Sequence, residues 1–182
     1  TWAHDEGWRR TVEDLKREGS IRGFGISVNR WEPANVLAAI DTGLVDAVQV
    51  VYNVFDQNAE DALFPYCQKH QIAIIARVPF DEGSLTDTLT ADSTWPAGDF
   101  RNLYFNPDNL QATLPRVARL REVIPSGMTM PQLALRHILT HPAVSTVIPV
   151  APPALDHVVQ GCLAKAPGDR WQTVHDLRME LQ

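Results

Sequence analysis

Cysteine is scarce in this chain: Cys67 and Cys162 are its two, far apart and in unrelated contexts. That excludes a disulfide framework or a cysteine-based zinc site as the basis of the fold, and it suits buried thiols of a cytoplasmic protein. Long hydrophobic runs are also missing. No stretch reaches the roughly 18 apolar residues that a transmembrane helix needs. The opening TWAHDEGWRR has neither the basic nor the apolar region of a signal peptide, so a cytoplasmic location is expected. No Lys/Arg cluster exceeds two or three residues and the formal net charge is -6, which argues against nucleic acid and membrane surfaces as partners. Small molecules or proteins are the better candidates. The first residue is Thr1 rather than Met, which makes a piece of a longer chain the expectation. What the chain does have is 182 residues, 45% of them hydrophobic, enough for one domain with a sizeable core plus a small appendage.

The pattern along the chain alternates between two periods. In DEGWRRTVEDLKREG (5–19), Trp8, Val12 and Leu15 fall on one helical face, and Gly19 is a stop signal. IRGFGISV (21–28) then reads as a strand, and EPANVLAAIDTG (32–43) as a helix opened by Pro33 and closed by Gly43. DAVQVVYNVF (46–55) is a strand, AEDALFPYCQKHQ (59–71) a helix and IAIIARVPF (72–80) a strand. Runs as apolar as AVQVVYNV and IAIIARV belong to strands covered on both faces, hence to a parallel sheet with helical crossovers. Residues 81–106 form a polar segment too long for an ordinary connection, which predicts a functional lid or partial disorder. Helices at 106–124 and 129–141 and a strand at 144–150 complete the series. This α/β order fits a small doubly wound sheet or half of a (β/α)8 barrel, and periodicity does not choose between them. In both, chemistry sits at the carboxyl edge of the sheet, where Ser27, Asn29 and Arg30, then Tyr52, Asn53, Asp56 and Gln57, and then Arg77, Pro79, Gly83 and Ser84 gather.

The segments LKREGSIRGFGISVNRWEP, VDAVQVVYNVFDQNAEDALFPYC, IAIIARVPFDEGSLT, FRNLYF and MPQLALRHILTHPAVSTVIP together resemble the C-terminal half of an aldo-keto reductase, over about residues 5–149. The resemblance implies a partial TIM barrel whose strands correspond to the family's fifth to eighth. It also implies reduction of a small carbonyl substrate by hydride from NADP(H). The Asp, Tyr, Lys, His tetrad of that family comes from the preceding half, so no catalytic residue is assigned here. His4, Tyr52 and Tyr66 are read as helix-start, wall or packing residues. Cofactor-binding residues do carry over. Ser27 and Asn29, separated here by Val28, stand for a Ser-Asn pair that holds the nicotinamide amide, and Gln49 for a glutamine that contacts the same group. Arg77 occupies the place of an aromatic that stacks on the nicotinamide, where a guanidinium plane would have to substitute. Pro79, Phe80, Gly83, Ser84 and Leu85 match the loop around the pyrophosphate. The GFG of Gly23–Gly25 is no dinucleotide fingerprint, because a strand rather than a helix follows it.

Beyond Pro149 the resemblance fades, so the sequence divides at 1–150 and 151–182. The tail, about 152–182, resembles the last two helices of a bacterial serine/threonine protein kinase domain, with Cys162-Leu163, Pro167 and Arg170-Trp171 as its marks. The catalytic Lys, Asp and Gly-rich loop of a kinase are all missing, so phosphoryl transfer is not expected. A half barrel would expose two strand edges and an open interior face, which calls for a homo-oligomer, a complementing barrel half or the tail itself as a cover. The chain alone is expected to be an inactive reductase fragment with NADP(H) binding weak or lost; the alternatives are a half that completes a reductase with a separate N-terminal half, or a noncatalytic protein-interaction module.

Overall fold

The computed structural model describes Ala3 and residues 5–149; His4 and the tail reading of 151–182 lie outside the described residues. The chain opens on α1 (Glu6–Arg17), where the Asp5 carboxylate caps Gly7 N–H and Val12 is buried, with Trp8 and Leu15 beside it on the same half-buried stripe. β1 (Gly25–Ser27) follows. A 3₁₀ turn (Pro33–Val36) runs into α2 (Leu37–Ile40), and next come β2 (Ala47–Val51), α3 (Leu63–His70) and β3 (Ala73–Arg77). α4 (Arg101–Tyr104), α5 (Pro107–Glu122), α6 (Met130–Leu139) and β4 (Thr146–Ile148) complete the described part. α6 begins in a full capping box, Thr129 and Gln132 each satisfying the other's backbone N–H.

The strands form one sheet in the order β1-β2-β3-β4, every neighbouring pair parallel. A doubly wound sheet must reverse its strand order at a switch point, whereas a barrel adds each strand beside the last. The observed order is the second kind. Four parallel strands winding one way are a partial barrel, and they settle the alternative that periodicity left open.

Alternation along the strands divides the sheet into two faces. Val48, Val50, Ile74 and Ala76 point to the helices and are fully buried with Leu63, Phe64, Cys67 and Ile138. Each such large side chain contributes about 1.5–3 kcal/mol of hydrophobic stabilisation. On the opposite face, Gly25, Ser27, Thr146 and Ile148 are exposed and Ala47, Gln49, Ala73, Ile75 and Arg77 half-buried. That face is the open interior expected of a half barrel. All four strands are shorter than the sequence predicts; among the described residues β1 and β4 have one strand neighbour each, and Phe24 N–H, just before β1, is taken by the Asp46 carboxylate at 2.7 Å.

The segment after β3 differs most from expectation. It carries a tight turn at Asp81–Thr86, whose interior leaves helical φ/ψ, and α4, with Leu85 and Leu89 buried, so it is ordered structure rather than partly disordered. A second core cluster of Phe80, Leu85, Val117, Met130 and Ala134 explains why: the segment supplies apolar anchors to α5 and α6. Cys67 is fully buried in the main core and its thiol is pushed up to about 11 by burial, which leaves it unreactive.

Candidate functional site

The carboxyl edge of the sheet gathers three loops, which interlock through side chains. The Asn53 amide, fully buried, donates to Val78 O at 3.0 Å while its carbonyl accepts from Phe55 N at 2.9 Å and Asp56 N at 3.0 Å. Asn58 Nδ2 donates to Arg30 O at 2.9 Å. The Arg30 guanidinium is the hub. Its Nε meets Asp56 Oδ2 at 2.6 Å, its Nη2 donates to Tyr104 Oη at 3.1 Å and lies 3.7 Å from Asp81 Oδ1. Tyr104 Oη in turn donates to Asp81 Oδ1 at 2.5 Å, and Ser84 Oγ donates to Asp81 Oδ2 at 2.8 Å.

The electrostatics follow from burial and partners. Burial and the Asp81 carboxylate push the Tyr104 hydroxyl up to about 12, against the opposing field of Arg30. For Arg30, burial works against the charge, and the hydrogen bonds to Tyr104 and Asp56 outweigh it, so its pKa is raised. Glu82 is raised by burial and by its neighbour Asp81, with Arg30, Arg77 and Arg101 pulling the other way. A Tyr so raised is a poor acid at neutral pH, so Tyr104 serves as a fixed hydrogen-bond bridge.

The residues picked out by sequence divide into three groups. Ser27 and Gln49 are register partners on β1 and β2, and Arg77 stands two residues beyond Gln49's partner Ile75 on β3, so all three share the open face. Arg77 Nε is buried there without a hydrogen-bond partner. Asn29 is occupied locally, its side-chain carbonyl accepting from Trp31 N at 2.8 Å. Pro79, Phe80, Ser84 and Leu85 are buried, with Phe80 and Leu85 in the second core cluster and Ser84 turned onto Asp81, so this stretch offers a ligand its backbone. Gly83 has φ +112° and open space where a Cβ would stand. It borders a cleft of about 220 Å³ lined in part by Glu82, Thr88, Trp95 and Arg101. Sequence reasoning missed Asp81 and Tyr104; the one signal was FRNLYF, a polar segment closed by aromatics, and nothing in it pointed to a partner 23 residues away. Tyr52 and Tyr66 are packing residues as expected: Tyr52 is buried against Phe64 and donates to Glu60 at 2.5 Å, and Tyr66 is bonded to Asp41. Among the described residues no group of three or more His, Cys, Asp or Glu could hold a metal ion.

A partial barrel with its polar groups at the carboxyl edge narrows the field, and the family model decides it, matching residues 1–162 as "Aldo/keto reductase family". The chain belongs to the aldo/keto reductase family. It is 31% identical over 136 residues to the uncharacterized oxidoreductase YqkF of Bacillus subtilis, a match covering 75% of this chain and 42% of that protein. It is 26% identical over 129 residues to the NADH-specific methylglyoxal reductase of Escherichia coli, covering 70% of this chain and 39% of that one. Among solved structures, the glycerol dehydrogenase of Gluconobacter oxydans matches with a TM-score of 0.64 at 20% identity, over 93% of this chain and 50% of the other. The holo form of an aldo-keto reductase from Bacillus halodurans matches with a TM-score of 0.58 at 26% identity, over 94% and 53%. The aldo/keto reductase chain described here thus spans about half or less of the relatives it matches. The family match also runs past Val150 into the tail, as far as residue 162.

Proposed function

We propose that this chain is the cofactor-gripping half of an NADP(H)-dependent aldo-keto reductase acting on small carbonyl compounds. The observation that carries the reading is the placement of Ser27, Gln49 and Arg77 on one open face, with the Gly83 turn at its carboxyl edge. The fit is positive at two points: an orphaned Arg77 Nε on the face and unfilled space at Gly83, both places for a ligand atom. Ser27 and Gln49 would hold the nicotinamide amide, Arg77 would lie under the ring, and the backbone of Pro79–Leu85 would receive the pyrophosphate. A bound reduced nicotinamide supplies the hydride for carbonyl reduction. The chain's own part is to bind and orient, because its three tyrosines, Tyr52, Tyr66 and Tyr104, donate to Glu60, Asp41 and Asp81, and burial with these carboxylates holds each hydroxyl above its ordinary value.

Titration calorimetry with NADPH and NADH tests this reading. Weak saturable binding without aldehyde-dependent NADPH oxidation is expected; turnover of a generic aldehyde by the purified chain refutes the noncatalytic assignment, and absence of any binding refutes the cofactor site. A second reading, completion of a reductase by a separately supplied N-terminal half, draws support from the one-sided pairing of β1 and β4 among the described residues and the exposure of Ser27, Thr146 and Ile148. Activity that appears only on mixing the halves distinguishes it. Homo-oligomerisation across the same face predicts a larger mass in solution. A cytoplasmic setting accords with the described helices, none of which is long and apolar enough to cross a membrane. The division at 1–150 and 151–182 and the kinase-like character of about 152–182 rest on Cys162-Leu163, Pro167 and Arg170-Trp171 alone.

A further inference from the structure

Backbone strain is concentrated after β3. Val78, Asp81, Glu82 and Asp87 all have positive φ, at 58°, 46°, 56° and 63°, around Gly83 at 112°. Non-glycine residues occupy that region at a cost, and a run of them persists only where the surroundings over-determine it. Buried Phe80 and Leu85 anchor the turn from below. From the side it is held by Asp81, which is 4% exposed and takes Tyr104 Oη and Ser84 Oγ on its two oxygens, with Arg30 beside it. Arg30 is itself fixed by Asp56 from the β2 loop, and its guanidinium lies over the Tyr104 ring at 5.4 Å. The result is a bridge from the ends of β1 and β2, across α4, to the first residue of the strained turn.

We infer that Arg30 and Tyr104 are positioning residues that clamp Asp81 and thereby hold the Asp81–Thr86 turn in the shape that receives the cofactor's phosphates. The inference rests on the cofactor reading above and adds residues that touch no ligand. It explains why a buried carboxylate sits next to a turn assigned to an anion: Asp81 faces inward to its clamp, and both its oxygens are occupied.

The test uses the whole chain with two substitutions. Tyr104→Phe removes the bridging hydroxyl and keeps the ring that packs edge-on to Phe105 at 4.9 Å, so the fold is retained. Val12→Ala on α1 loosens a remote part of the core and serves as the control for general destabilisation. Hydrogen exchange at the amides of Gly83 and Leu85, both bonded to Phe80 O, should quicken at least tenfold in Y104F relative to V12A. NADPH should bind at least tenfold more weakly to Y104F than to V12A. Equal exchange in the two variants overturns the clamp whatever NADPH does. Faster exchange with unchanged NADPH affinity overturns the positioning role and leaves the cofactor reading standing. A wild-type chain that binds no NADPH overturns the cofactor reading and this role with it, even if the exchange result is as expected.

Discussion

Replacing Arg30 by Met removes one cation from between two acids. The Asp56 and Asp81 side chains are 11% and 6% exposed and Arg30 is 23% exposed, so the carboxylates have little water to fall back on. Breaking a buried ion pair by removing one partner costs about 3–5 kcal/mol, because the other charge stays desolvated. The partial exposure of Arg30 places this case at the low end, about 3 kcal/mol. Against a total stability of about 5–15 kcal/mol that is a large fraction. Urea denaturation followed by circular dichroism should show the midpoint falling with an unchanged slope. The double variant R30M/D56L replaces both partners by apolar groups and should recover part of the loss, because an unpaired buried charge costs more than a missing pair. A loss below about 1 kcal/mol for R30M, in the range of exposed pairs, would show that water reaches the network and refute the desolvation reasoning. A double variant less stable than R30M would refute it as well.

Three other outcomes follow from particular residues. Burial holds His137 below its ordinary value of 6.5, against the opposing charge of Glu60 and with a smaller push from His141, and its Nε2 has no partner; stability should be complete above that value and decline as pH falls through it, since the unfolded chain takes up a proton that the folded one resists. Urea midpoints between neutral and mildly acid pH measure this, and His137→Leu should flatten the decline. Phe64→Ala deletes a ring that is 1% exposed and packs edge-on to Tyr52 at 4.8 Å, so calorimetric unfolding should show a loss of about 3–5 kcal/mol. Gly83→Ala meets no neighbour within 4 Å but must adopt φ +112°, so thermal unfolding should reveal a cost of about 1–3 kcal/mol.

Much of this molecule is legible in one dimension because local physics is local in sequence. The stripe of Trp8, Val12 and Leu15, the stop at Gly19 and the apolar runs of β2 and β3 each encode their element within about a dozen residues, and parallel pairing follows from the lack of a polar face. Ser27, Gln49 and Arg77 came from the family resemblance, and the strand register then put them on one face. Two things could be decided only in three dimensions. Strand order, which separates a barrel from a doubly wound sheet, depends on where each crossover lands. The clamp of Arg30, Asp56, Asp81 and Tyr104 joins positions up to 74 residues apart, and an ion-pair network carries no periodicity from which its partners could be read. Sequence determined the elements because hydrogen bonding and amphipathicity repeat at short range; the tertiary structure decided which charges meet, because burial sets the cost of leaving any of them alone.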